Sequence, residues 1–284
     1  MPKIAVIADT DASLSNELAA QNEIILVPIL INFGDESFAS GVDIDDKALF
    51  ERIDKEGALP KTAAPSPAAF IKAFKNAFDS GAEGIVCVCV SAEISATYAA
   101  ALTAKEDFPG RDIRVIDSRV VSMAQGFMAL EARRMAKAGA SLDQIEAKLK
   151  GMESRLVLFA SLSTLKYLAM GGRVGKFSAS MGNMLSIRPI LTMKNGKLDL
   201  LEKVRTRKAA MSRLVELLAS SVGSRKVEQA AFIHVAAEAD LAELEQEVRA
   251  RFAVPAEAIH TDFSPGLSVH TGAGTIGAVL LLGE

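Results

Sequence analysis

The chain has 284 residues, 50% of them apolar and 24% charged, with a formal net charge of −3. This is the balance of a folded globular protein with room for two domains, and it excludes a disordered or fibrous chain. With no Trp, two Tyr and a slightly acidic balance there is no case for nucleic-acid binding. No apolar run reaches the roughly 18 residues of a membrane span.

The start, Met1-Pro2-Lys3-Ile4, leads straight into a strand with no signal-peptide pattern, so the cytoplasm is the expected compartment. Residues 3–8 read as a buried strand, followed by the polar cluster Asp9-Thr10-Asp11. Ser13 is placed to cap a helix running to about Gln21. Residues 24–32 are apolar, with Pro28 marking an edge strand or an interruption. Gly34-Asp35 turns into a short return strand. Asp45 or Asp46 then caps a helix that stops at Gly57.

Lys61 to Pro65 is expected to be extended, and Ser66-Pro67 opens the next helix. Thr62 is thus a hydroxyl on a rigid extended stretch. Residues 84–90 have the continuous apolar pattern of a central parallel strand. Cys87 and Cys89 lie on one face of it, poorly placed for a disulfide and best read as buried thiols. Ser95 falls where a helix N-cap belongs; it suits plain capping, and also an anion site built from a hydroxyl and free N–H groups. A strand at 113–117, a helix at 121–138, a Ser141–Gln144 capping box and a strand at 156–162 follow.

From Leu165 to Ala210 there are ten basic residues and two acids, so this stretch carries +8 and the remainder −11. Charge alone favours a solvated face; a docking face for an anionic partner is the sharper alternative. Phe177, Met181, Met184 and Leu185 share one helical face. Asn195-Gly196 between two apolar runs predicts a hairpin. A helix to about Ser220, a strand at 229–236, a helix at 238–252 and a strand at 258–263 complete the reading.

Gly272-Ala273-Gly274-Thr275-Ile276-Gly277 matches G-x-G-x-x-G, but the chain ends seven residues later, leaving no room for a dinucleotide unit. His234 and His260 read as strand residues. His270 precedes the Gly-rich turn, where backbone can approach a ligand. A Ser95–His270 pair would suit an esterase or acyltransferase, though no third orienting group is legible.

Several motifs occur together in one order: DTDASL at 9–14, KTAAPSPAAF at 61–70, SAEISATY at 91–98, LKYLAMGGRVGK at 165–176, EKVRTRKAA at 202–210 and HTGAGTIG at 270–277. On these the chain resembles the DegV family of fatty-acid-binding proteins, which includes the fatty-acid-binding subunit of fatty acid kinase. The resemblance implies a two-domain α/β fold: an N-terminal parallel-sheet α/β/α domain, residues 1–158, and a C-terminal mixed α+β domain, residues 159–284. It implies a long-chain fatty acid such as palmitate or oleate in a tunnel between them, with no cofactor and no metal. Thr62 and Ser95 would bind the carboxylate, with His270 near the same end. Arg173 and Arg205 would face a dihydroxyacetone-kinase-like fatty acid kinase that forms the acyl phosphate, while the carrier itself does no catalysis; transient membrane contact is allowed. The chain departs from the family pattern at Ser13, where Asp is usual, at Ala92-Glu93, where Ser-Gly is usual, at Ala96, where Gly is usual, and after Thr62, where Ala-Ala replaces Ser-Gln.

Overall fold

The computed structural model describes residues 3–172 and 187–284. Arg173 and the Met-bearing helical face expected over 177–186 lie outside the described residues.

Strand β1 (Ile4–Asp9) runs into a 3-10 turn at Thr10–Ala12 and then α1 (Asn16–Gln21). The cap of α1 is Ser15, whose hydroxyl accepts from Leu18 N at 3.1 Å. Ser13, expected in that role, instead takes a left-handed conformation (φ 52°) and is buried. Its hydroxyl accepts from Ser122 Oγ and from Ser264 N. Pro28 divides the next apolar run into β2 (Ile24–Val27) and β3 (Leu30–Phe33), because proline supplies no N–H to continue a ladder. Then come β4 (Glu36–Ala39), α2 (Asp46–Glu56) capped by Asp45, β5 (Lys61–Ala63), α3 (Pro67–Asp79) and β6 (Gly84–Cys89). The first half closes with α4 (Thr97–Lys105), β7 (Asp112–Asp117), α5 (Met123–Lys137) and α6 (Leu142–Met152).

Strands β2-β1-β6-β7 form a fully parallel sheet in that order. Its central strand β6 is buried throughout, which explains its unbroken apolar sequence. Cys87 and Cys89 are buried free thiols with their sulfurs 3.8 Å apart. Strands β4-β3-β5 form a small antiparallel sheet that carries Thr62 opposite Ile31.

The second half holds β8 (Leu156–Ser161), α7 (Lys166–Met170), β9 (Arg188–Lys194), β10 (Lys197–Val204), α8 (Arg207–Val222) and β11 (Val227–Val235). It ends with α9 (Glu238–Arg251), β12 (Ile259–Asp262), α10 (Pro265–Thr271) and β13 (Thr275–Leu282). The mixed sheet runs β10-β9-β8-β13-β11-β12. Strand β8, which closes the β/α alternation in the sequence, belongs to this sheet and is antiparallel to both neighbours. Asn195 and Gly196 both have positive φ (52° and 78°), the type I′ geometry expected of an Asn-Gly hairpin. The glycine motif at 272–277 turns a helix into a strand, the reverse of the strand-to-helix order that a dinucleotide site needs.

Helix α5 packs against strands of both larger sheets, and nine of its residues are buried. One apolar cluster therefore spans the molecule, from Val6 and Val86 through Phe127 and Met128 to Leu158, Ile233 and Val279. The outer face of the parallel sheet is covered by α3 and α4 around Phe70 and Phe74. The outer face of the mixed sheet is covered by α8 and α9 around Leu214, Phe232 and Leu244.

The centre of the mixed sheet depends on Gly277. A Cβ there would lie 2.7 Å from Phe159 O and 3.0 Å from Ala160 Cβ. Gly277→Ala is expected to destabilise the protein by about 1–3 kcal/mol through overpacking. A urea midpoint equal to wild type would show that β8 and β13 can move apart without cost.

Candidate functional site

The parallel sheet reverses its winding between β1 and β6, and ligands of such sheets bind outside the carboxyl ends of the strands at that point. Asp9 ends β1 there. Its carboxylate accepts from Val90 N (2.8 Å), Asp11 N (3.0 Å) and Gln125 Nε2 (3.0 Å), tying β1 to the end of β6. Burial pushes its pKa up to about 6, against the pull of those hydrogen bonds.

A cavity of about 830 Å³, its mouth included, opens beside this point. That size suits a small-molecule ligand. Both halves of the chain line it. The mixed sheet contributes Leu158, Ala160 and Leu191, with Leu162 just beyond β8 and Leu198 from β10. Leu158, Ala160 and Leu162 alternate along the chain, so they share one face. The first half contributes Ile29, Ile94 and Val121, and α10 adds Leu267.

Thr62, Ser95 and His270 all lie on the cavity wall. Thr62 Oγ1 and His270 Nε2 are 2.9 Å apart, joining β5 to the C-terminal turn of α10. Ser95 is one residue earlier than the N-cap position expected for it; Ala96 is the N-cap of α4 and offers no side-chain bond. Ser95 Oγ instead pairs with Thr97 Oγ1 at 2.8 Å and accepts from Thr97 N at 3.3 Å. It still sits at a helix start, where the backbone dipole favours an anion. The hydroxyl bonded to the His270 ring is that of Thr62. Arg205 is exposed, between β10 and the Thr206 N-cap of α8.

Two wall features were not singled out in the sequence. Asp11 stood there only as part of the polar cluster after the first strand; it is buried and lines the cavity. The Phe263–Thr271 segment was legible only at His270, although Phe263, Gly266, Leu267 and Thr271 also line it. The Ser264-Pro265 start matches the signal that opens α3 at Ser66-Pro67.

Asp46, at the start of α2, braces α10 from outside the cavity. Ser268 Oγ donates to its Oδ2 at 2.8 Å. Burial lifts its pKa from 3.8 to about 7, with the Asp262 and Asp45 charges adding to the rise and the Ser268 bond opposing it. Among the described residues no group of His, Cys, Asp and Glu is arranged to hold a metal ion. No described helix is long and apolar enough to cross a membrane.

Fold and cavity define an α/β protein built on a parallel and a mixed sheet, with a largely apolar cavity that has a polar end. The family model for DegV, described as a family of uncharacterised proteins, matches residues 3–282, and the chain belongs to the DegV family. A DegV domain-containing protein of Streptomyces coelicolor is 31% identical over 277 residues, 98% of each chain. Among solved structures, a DegV family protein from Thermus thermophilus, described by its fatty acid binding, is 28% identical. It matches over 99% of each chain with a TM-score of 0.92. DegV of Bacillus subtilis, described as a fatty acid binding protein, is 28% identical and matches over the full length of both chains with a TM-score of 0.90. A stearic acid-binding protein from Eubacterium ventriosum is 25% identical over 99% of this chain and 98% of its own, with a TM-score of 0.88.

Asp46 and Asp9 both hold protons in the folded state that the unfolded chain releases, so stability falls as pH rises from about 4 toward their folded pKa values. The slope between about pH 6 and 7 belongs to Asp46. Asp46→Asn is expected to flatten that window, as measured by urea midpoints across the range. A variant with the wild-type slope there would show that another group carries it.

Proposed function

We propose that this chain is a carrier of a long-chain fatty acid, which it holds between residues 1–158 and 159–284 and presents to a partner fatty acid kinase. The observation that carries the reading is the convergence of Thr62, Ser95 and His270, from three separated segments, on one largely apolar cavity. The descriptions of the Thermus, Bacillus and Eubacterium proteins support the same ligand class.

In this reading Thr62 and Ser95 donate their hydroxyls to the ligand carboxylate, and the start of α4 adds positive potential. His270 positions the Thr62 hydroxyl through their 2.9 Å contact. The acyl chain lies along Leu158, Ala160, Leu162 and Leu191. Each buried methylene contributes about 0.8 kcal/mol, so roughly 15 of them supply on the order of 12 kcal/mol before the costs of association. The tail thus dominates affinity and the polar end sets register. The carboxylate must stay reachable, because the kinase transfers a phosphoryl group to it and forms an acyl phosphate. Arg205, with Arg173, faces that kinase and its anionic nucleotide. The cytoplasm is the compartment where both proteins and the nucleotide meet, with loading from a membrane by transient contact.

Native mass spectrometry of the gently purified protein is expected to show a bound acid in the range of palmitate or oleate. A protein that is empty and takes up neither acid sinks the proposal. Thr62→Val combined with Ser95→Ala should weaken retention by about tenfold or more, since a hydrogen bond to a charged group is lost at each site. Unchanged retention would remove both residues from the head-group site. Arg205→Glu should lower acyl-phosphate formation by the kinase while leaving retention intact; a normal rate places the docking face elsewhere.

A further inference from the structure

A second space lies further along strand β8 from the acyl cavity, a cleft of about 1010 Å³ with its open mouth included. Leu162, Ala160 and Leu158 line the acyl cavity, and Leu158 and Leu156 line the cleft. These residues alternate, so one face of one strand runs through both spaces. The boundary is repeated on the loop before α5, where Val121 lines the acyl cavity and Val120 the cleft. From Leu162 to Leu156 the strand covers about 20 Å, at a rise of about 3.3 Å per residue. That is comparable to the reach of an extended long acyl chain.

The cleft exists because the mixed sheet opens there. Strands β8 and β9 pair over Phe159–Ser161 and Ile190–Thr192, although β8 begins at Leu156 and β9 runs on to Lys194. At the end of that register a side chain, Thr192 Oγ1, donates to Leu158 O at 2.8 Å. The tip of the β9–β10 hairpin is held by the first half of the chain instead. Ser91 Oγ donates to Gly196 O at 2.7 Å, and Lys197 pairs with Glu93 at 3.1 Å. The two strands therefore part toward the tip, and the cleft lies between them.

The cleft differs from the acyl cavity in charge. Three cations, Arg119, Lys150 and Lys194, stand on its wall against one acid, Glu153, a net charge of +2. Arg119 pairs with Glu153 at 2.8 Å and Lys150 with Glu146 at 2.6 Å. Lys194 is exposed and makes no ion pair among the described residues. A methyl end gains little from an open, cationic cleft. A carboxylate there keeps part of its water and meets positive charge. In the apolar part of the cavity the same carboxylate would lose its water without compensation, which is costly. We infer that cavity and cleft together take a long-chain dicarboxylic acid. One carboxylate lies at Thr62 and Ser95, the chain passes Leu158, and the other carboxylate lies among Arg119, Lys150 and Lys194. This rests on the fatty-acid reading of the cavity and extends its substrate class.

The test is native mass spectrometry of the delipidated full chain with equal amounts of palmitate and of hexadecanedioic, octadecanedioic or eicosanedioic acid. At least one diacid is expected to be retained within about tenfold of palmitate, where a closed apolar end would reject it by far more. Lys194 lies off the wall of the acyl cavity. Lys194→Glu should leave palmitate retention unchanged and weaken that diacid about fivefold, the scale of one exposed charge contact reversed. Wild-type protein that holds palmitate but retains every diacid more than about tenfold less well overturns the inference and leaves the carrier reading standing. So does a diacid whose retention relative to palmitate is the same in Lys194→Glu, which puts its second carboxylate outside the cleft. A wild-type protein that retains no acid at all overturns the carrier reading, and this inference with it. The wild-type comparison needs no variant to fold.

Discussion

The polar end of the cavity depends on how one short helix is held. Helix α10 has seven residues, too few to be stable alone, so tertiary contacts must supply what propensity does not. They come from hydrogen bonds reaching into the first half of the chain. Ser264 Oγ donates to Asp11, Gly266 N to Ser40 Oγ (2.9 Å), Ser268 Oγ to Asp46, and the ring of His270 pairs with Thr62. Every second residue is bonded. Residues two apart on a helix point in widely different directions, so the bonds grip it from several sides. The Gly266 bond also satisfies an N–H that the first turn of a helix leaves open.

This arrangement explains why the cavity combines apolar walls with a fixed polar end. The walls come from sheet faces, where alternation places Leu158, Ala160 and Leu162 inward without further help. The polar groups come from the margins of the sheets and the segments beyond them: the end of β1, the loop after β6, the short edge strand β5 and α10. Such segments have unpaired backbone groups and need external partners. Here they use one another. Removing one member of such a buried network leaves its partner unsatisfied, which costs more than the bond itself contributed. The polar end is thus held by bonds within the protein, which lowers the ordering cost of binding.

Most of the fold was legible because its signals are local. The parallel strands read as apolar runs, Ser66-Pro67 and Ser141–Gln144 as helix starts, and Asn195-Gly196 as a hairpin. The misreadings at Ser13 and Ser95 have one cause. Each is a hydroxyl near a helix start, and composition does not separate a cap from a residue one or two positions earlier. Strand order in the mixed sheet was not legible. Strand β13 sits between β8 and β11, and its partnership with β8 joins Ile276 to Ser161 across more than a hundred residues. Nothing in either strand alone encodes that choice, because pairing reflects packing rather than intrinsic preference. Helix α10 was missed for a related reason: Gly, Val, His and Thr are weak helix formers, and its stability lies in contacts with distant segments. Thr62, Ser95 and His270 were each recognisable as residues, but their meeting on one wall is a property of the topology.

The departures from the family pattern at Ala92 and Glu93 can be understood in the same terms. The loop from Ser91 to Ser95 is held by groups that do not depend on the side chain at 92 or 93. Ser91, fully buried, donates to Gly196 O at 2.7 Å, so the hairpin tip of the second half grips the loop of the first. Gly196 must be glycine-like there, with φ 78° and a virtual Cβ only 3.0 Å from Ser91 Oγ. Ala92 N donates to Asp117 at 3.1 Å, using backbone that any residue provides. Glu93 adds an ion pair with Lys197 at 3.1 Å, but both side chains are exposed enough that it contributes under about 1 kcal/mol. The backbone path is thus set by Ser91, Gly196 and Asp117. Residues 92 and 93 are free to change on the outer side of the loop, while Ile94 and Ser95 are carried to the cavity wall by the same frame.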